Sequence, residues 1–174
     1  EDEYLVLTPG KDSYNWLGGD MVLAFDYSGE EVLRLPGYGI TGNSAYISNG
    51  MIVNENTPLV LYTEYEDKAS DDSDYASAQM GIYSLKDRKW IVEPARQSVT
   101  LFTDSVYMIG SDVGNLYRTD GTCIEEGAED VTVQGNFIIS RRAVYDKTGQ
   151  LLIMIQENEN VLTVLCDEIL INEY

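Results

Sequence analysis

The chain has 174 residues, 44% of them hydrophobic, with 13 Tyr, 15 Gly, 4 Pro and no His, and its 30 Asp and Glu against 11 Lys and Arg give a formal charge of −19. That length suits a single domain able to bury roughly 70% of its unfolded surface, so folding requires neither a metal nor a disulfide. The charge repels phosphate backbones and anionic lipid, excluding nucleic-acid binding as a main role, and the lack of histidine excludes Ser-His-Asp, Cys-His and His-ligated metal chemistry within the chain.

The opening Glu1-Asp-Glu3 has no signal-peptide pattern and no initiating Met. It leads to the expectation of a removed leader and an exported, extracytoplasmic chain. Abundant Tyr, Val and Ile favour a pleated, half-buried surface. The first clear element is Leu23-Ala-Phe-Asp-Tyr-Ser-Gly-Glu-Glu-Val32, in which an apolar residue and an aromatic lead into a Gly-containing turn and a returning apolar strand. This is the pattern of a β-hairpin. Strands are then expected at 45–47, 51–53 and 59–62. The acidic stretch Glu64 to Ala78, with Asp71-Asp72-Ser73-Asp74, reads as a loop insertion.

Three further segments repeat the hairpin pattern: Gly81-Ile-Tyr-Ser-Leu-Lys-Asp-Arg-Lys-Trp90, Asn115-Leu-Tyr-Arg-Thr-Asp-Gly-Thr-Cys123 and Ala143-Val-Tyr-Asp-Lys-Thr-Gly-Gln-Leu-Leu152. Gly29, Gly121 and Gly149 fill the turn, with Asp87 and Arg88 in their place in the second copy. Between these hairpins strands are expected at 99–102, 106–109, 131–133 and 137–139, and after them at 161–166 and 168–171. No window repeats apolar residues at the helical period with caps, so almost no helix is expected. The aromatics Phe25, Tyr83, Tyr117 and Tyr145 mark the copies, and the last two intervals between them set a repeat of about 30 residues.

A hairpin plus one or two more strands per repeat predicts an all-β chain, propeller-like with four to five small antiparallel repeats in a single domain over 1–174; a β-sandwich is the alternative. The segments Gly81 to Pro94 and Ala143 to Ile153 resemble the turn region of WG-type repeats, where a Gly-apolar-aromatic strand leads to Asp-Lys-x-Gly-Lys and an apolar strand ending in Pro. Trp90 and Pro94 carry the likeness furthest, although the chain has no Trp-Gly dipeptide. The resemblance implies propeller-like blades in bacterial, often cell-surface, proteins and implies no catalytic residues.

Alternating oxygen ligands in Glu64 to Asp74 raise calcium as a cofactor, but Asp72-Ser-Asp74-Tyr-Ala76-Ser departs from the calcium-loop template at its fifth and sixth places, so a solvated loop is preferred and no cofactor is assigned. Thirty acids guarantee some carboxylate pair at glycosidase spacing, which singles none out, and no catalytic, ligand-binding or metal residue is assigned. The repeated rings, with Trp16 and Trp90, suit packing between neighbouring repeats better than a carbohydrate groove. Arg141 and Arg142 point to opposite faces if extended and so form no patch. Cys123 and Cys166 fit no C-x-x-C motif; buried free thiols are preferred to a pair, which would add about 4 kcal/mol. No apolar run reaches the roughly 18 to 20 residues that cross a bilayer. The expected role is a non-enzymatic extracytoplasmic binding or structural module, bacterial and at the cell surface, presenting a β-repeat surface to a protein or glycan partner. The alternatives are a two-carboxylate glycoside hydrolase and a fragment of a larger propeller.

Overall fold

The computed structural model describes residues 4–7, 21–36, 38–40, 51–52, 58–64, 79–156, 159–165 and 168–173. The expected strands at 45–47, most of the acidic stretch, Trp16 and Cys166 lie outside them. The fold is all-β, built of small antiparallel sheets, and among the described residues no helix is long and apolar enough to cross a membrane. The chain divides into two compact units, Glu1–Val99 and Thr100–Tyr174.

The first unit contains β1 (Tyr4–Leu7), β2 (Met21–Asp26), β3 (Glu31–Pro36), β4 (Tyr38–Ile40), β5 (Met51–Ile52), β6 (Leu59–Glu64), β7 (Gln79–Ser84) and β8 (Lys89–Arg96). They form two four-stranded sheets, ordered β3-β2-β1-β5 and β4-β6-β7-β8. Pro94 is accommodated because β8 is an edge strand, where a missing N–H breaks no ladder. Ala24, Leu33, Val60, Tyr62 and Leu85 form this unit's core, with Tyr83 and Trp90 packed against it.

The second unit continues with β9 (Val99–Leu101), which begins at the boundary, then β10 (Val106–Gly110), β11 (Val113–Arg118), β12 (Cys123–Glu129), β13 (Thr132–Gln134), β14 (Phe137–Ile139), β15 (Ala143–Asp146), β16 (Leu151–Met154), β17 (Glu159–Leu165) and β18 (Glu168–Glu173). Its sheets run β12-β11-β10-β9 and β13-β14-β15-β16, each a meander of consecutive strands, with β17 and β18 as a two-stranded pair. Ile138 joins a core with Val106, Leu116 and Tyr145. Its neighbours Phe137 and Ile139 point the other way and pack with Val144. Both faces of β14 are therefore covered, which explains its uninterrupted apolar sequence.

The four hairpins seen in the sequence are alike in detail. Each is the pair β2-β3, β7-β8, β11-β12 or β15-β16, and each returning strand lies at a sheet edge. In three of them the turn closes by the same two backbone bonds: Asp26 N–H to Glu30 C=O with Gly29 N–H to Asp26 C=O, and the same for Arg118, Thr122 and Gly121 and for Asp146, Gln150 and Gly149. Gly29, Gly121 and Gly149 have φ of 83°, 89° and 78°, left-handed values that glycine takes without a Cβ penalty. The remaining hairpin puts Arg88 at φ 52°, a conformation costing a non-glycine residue about 1 kcal/mol.

A register shift also recurs, between Ala24 and Phe25, Ile82 and Tyr83, Leu116 and Tyr117, and Val144 and Tyr145. In every copy the residue before the aromatic is fully buried: Ala24, Ile82, Leu116 and Val144 are each 0% exposed. The rings that mark the copies, expected to pack between neighbouring repeats, are less consistently buried than the residue before them. Phe25, Tyr83 and Tyr117 are only half-buried and Tyr145 alone is buried. Alternation puts adjacent residues on opposite faces, and the face turned inward is that of the smaller side chain.

Candidate functional site

Within the second unit, β12 faces the connection between β14 and β15 across a cleft of about 510 Å³, lined among others by Arg118, Glu125, Arg142, Tyr145, Leu151 and Met154. Glu125 lies two residues after the start of β12, and its side chain is 7% exposed. A carboxylate so withdrawn from water needs several donors to offset desolvation. It has three. Arg142 Nε donates to Oε1 at 3.1 Å, while Ser140 Oγ at 2.7 Å and Tyr145 OH at 3.0 Å donate to Oε2.

The partners are fixed in turn. Buried Ser140 accepts from the backbone N–H of Arg142 at 3.2 Å and of Ala143 at 3.0 Å, shaping the bend that leads into β15. The Arg142 guanidinium also donates to the carbonyls of Glu126 and Gly127. Burial, and then the Glu125 carboxylate it bonds, push the Tyr145 phenol well above the ordinary tyrosine value. On the opposite wall Arg118 Nη2 donates to the Gly149 carbonyl at 2.9 Å, and its Nε is buried without a hydrogen-bond partner. Each cation of the cleft is thus already held by the protein's own oxygens, and the arrangement ties β12 to β15.

Arg141 and Arg142 sit in the bend before β15 rather than in a strand. Strand alternation was expected to send them to opposite faces; in the bend both instead reach β12, Arg141 pairing with Glu129 at 2.8 Å and Arg142 with Glu125. Two of the four repeat aromatics, Tyr83 and Tyr117, pack on other rings of their own sheet, while Tyr145 joins the core around Ile138. Tyr83 and Tyr62 meet Trp90 edge-on at 5.1 and 5.5 Å, and Tyr107 stacks on Tyr117 at 5.4 Å. Cys123 is a free thiol and exposed, where burial was expected, because it opens β12 at the exposed end of the turn. Among the described residues no group of three or more Cys, Asp or Glu could hold a metal ion. The Glu125 cluster was not legible in the sequence because Glu125 lies 15 to 20 positions from its three partners and shares no motif with them.

Comparison of the chain with protein-family models, with curated proteins and with solved structures gave no match.

Proposed function

We infer that the chain is a non-enzymatic binding or structural module, propeller-like with four or five small antiparallel repeats, that works outside the cytoplasm and presents a sheet surface to a protein or glycan partner. The observation carrying this reading is the recurrence, in four hairpins, of one edge position and one register slip after one fully buried residue. Repeated short sheets of this kind are the raw material of propeller blades. The likeness to WG-type repeats of bacterial surface proteins points the same way. A carboxylate occupied by three donors serves better as an internal tie than as a general acid, which must give up a proton to substrate.

The competing reading is a glycoside hydrolase, favoured by one observation, the buried Glu125 beside an open cleft. Immobilised glycan and peptide arrays probed with the labelled chain, followed by a reducing-sugar assay on any retained glycan, separate the two. Retention without release of reducing ends is the expected result. Release of reducing ends that Glu125→Gln abolishes would install the hydrolase instead, and retention on neither array would remove the binding role.

A further inference from the structure

The four returning strands occupy the same place, an outer edge next to the hairpin's first strand. An edge exposes unpaired backbone N–H and C=O groups, and proteins usually blunt it with charge. Three of the four follow that rule. β3 exposes Glu31 and Arg34, β8 exposes Lys89, Glu93 and Arg96, and β12 exposes Glu126. β16 is Leu-Leu-Ile-Met, without a charge, and Leu151, Leu152 and Met154 are 47%, 44% and 55% exposed. Among the described residues no strand pairs with its far side. Leu151 and Met154 also line the open cleft beside Tyr145, where a further side chain has room.

We propose that β16 is a docking edge onto which an extended segment of a partner protein adds as a fifth strand, and that this segment alternates apolar residues and is flanked by Lys or Arg. The charge of the chain selects this occupant. At −19 it attracts a cationic segment and repels a second copy of itself. Strand addition draws affinity from main-chain hydrogen bonds and specificity from alternate side chains, and both are on offer here. The proposal rests on reading the chain as a binding module and names the surface it uses.

The test is fluorescence anisotropy with a labelled peptide Lys-Lys-Thr-Val-Thr-Val-Thr-Lys-Lys, its Glu-flanked counterpart, and the full chain. The Lys-flanked peptide is expected to bind, to weaken with added salt, and to lose at least about ten-fold in affinity with Leu152→Lys plus Met154→Lys, which give β16 the charge its sister strands carry. Val113→Lys, at an exposed site on β11, should leave binding unchanged, and circular dichroism checks that each variant stays folded. Absence of binding, or binding that the β16 variant does not weaken, overturns the proposal. So does sedimentation showing a dimer that the variant dissolves, which would make the occupant a second copy. Retention of other array ligands alongside failure of this peptide would sink the edge alone and leave the binding role standing.

Discussion

Gly121 and Gly149 adopt the same left-handed turn in different company. A Cβ on Gly121 would meet nothing within 4 Å, whereas one on Gly149 would lie 3.0 Å from Val106 Cγ2, 3.1 Å from Ile124 Cδ1 and 3.2 Å from Arg118 Cγ. Gly121→Ala should therefore cost about 1 kcal/mol, the backbone term alone. Gly149→Ala should cost about 2 to 3 kcal/mol, because core side chains must also yield. Urea midpoints of the two variants, read by circular dichroism, give the comparison, and equal losses would contradict it. At this scale the turn glycines were readable in the sequence, since positive φ is a local demand that glycine meets. The buried role of Ala24 and Leu116 was not, because ring size pointed to the aromatic and only the register slip decides which side faces inward.

Between elements, Glu125 is the tie whose loss is felt on both sides. Glu125→Ala removes the short-range acceptor shared by the Ser140 hydroxyl and the Tyr145 phenol, leaving them the longer bonds to the Ala143 carbonyl at 3.3 Å and the Ile124 carbonyl at 3.4 Å, and leaves the Arg142 guanidinium, 55% exposed, on the Glu126 and Gly127 carbonyls. Because the remaining bonds are longer and the guanidinium is reached by water, about 1 to 2 kcal/mol should be lost, with Glu125→Gln losing less because an amide keeps one acceptor. Thermal denaturation of both variants supplies the measurement. Tyr145 adds a pH dependence. Its folded value is raised above the ordinary 10.0, so the stability it contributes is whole below about pH 10 and is lost as pH climbs past the unfolded value toward the folded one. Denaturation midpoints between pH 8 and 11.5 should fall accordingly, and less steeply in Tyr145→Phe; Tyr107, also raised by burial, keeps some slope in that variant. The hairpins themselves were legible from alternation and turn residues, while this cluster required two sheets to come together before its members met.

For the chain as a whole, charge is the strongest lever. With −19 spread over 174 residues, the compact state is strained by self-repulsion that salt relieves. Raising NaCl from about 10 mM to about 150 mM, which shortens the screening length from about 30 to about 8 Å, should raise Tm by a few degrees in differential scanning calorimetry. A flat or falling Tm would show that local ion pairs such as Arg141–Glu129 outweigh the net repulsion. The all-β class was legible in composition and in the absence of helical periodicity. The division into two compact units was not, since no shift in composition marks position 99.

The slip that follows each buried residue constrains how such a chain can change length. Strand side chains alternate, so one residue gained or lost upstream of Leu116 or Val144 would turn the arm over and send its apolar plug to solvent. The slip takes up a mismatch at a fixed place in every hairpin, and the β11-β12 and β7-β8 pairs take up a second immediately before it. A change of length is thus cheapest as a complete hairpin with its preceding arm or within a loop, while a single turn position tolerates a different residue, as at Arg88, which holds φ 52° without being glycine.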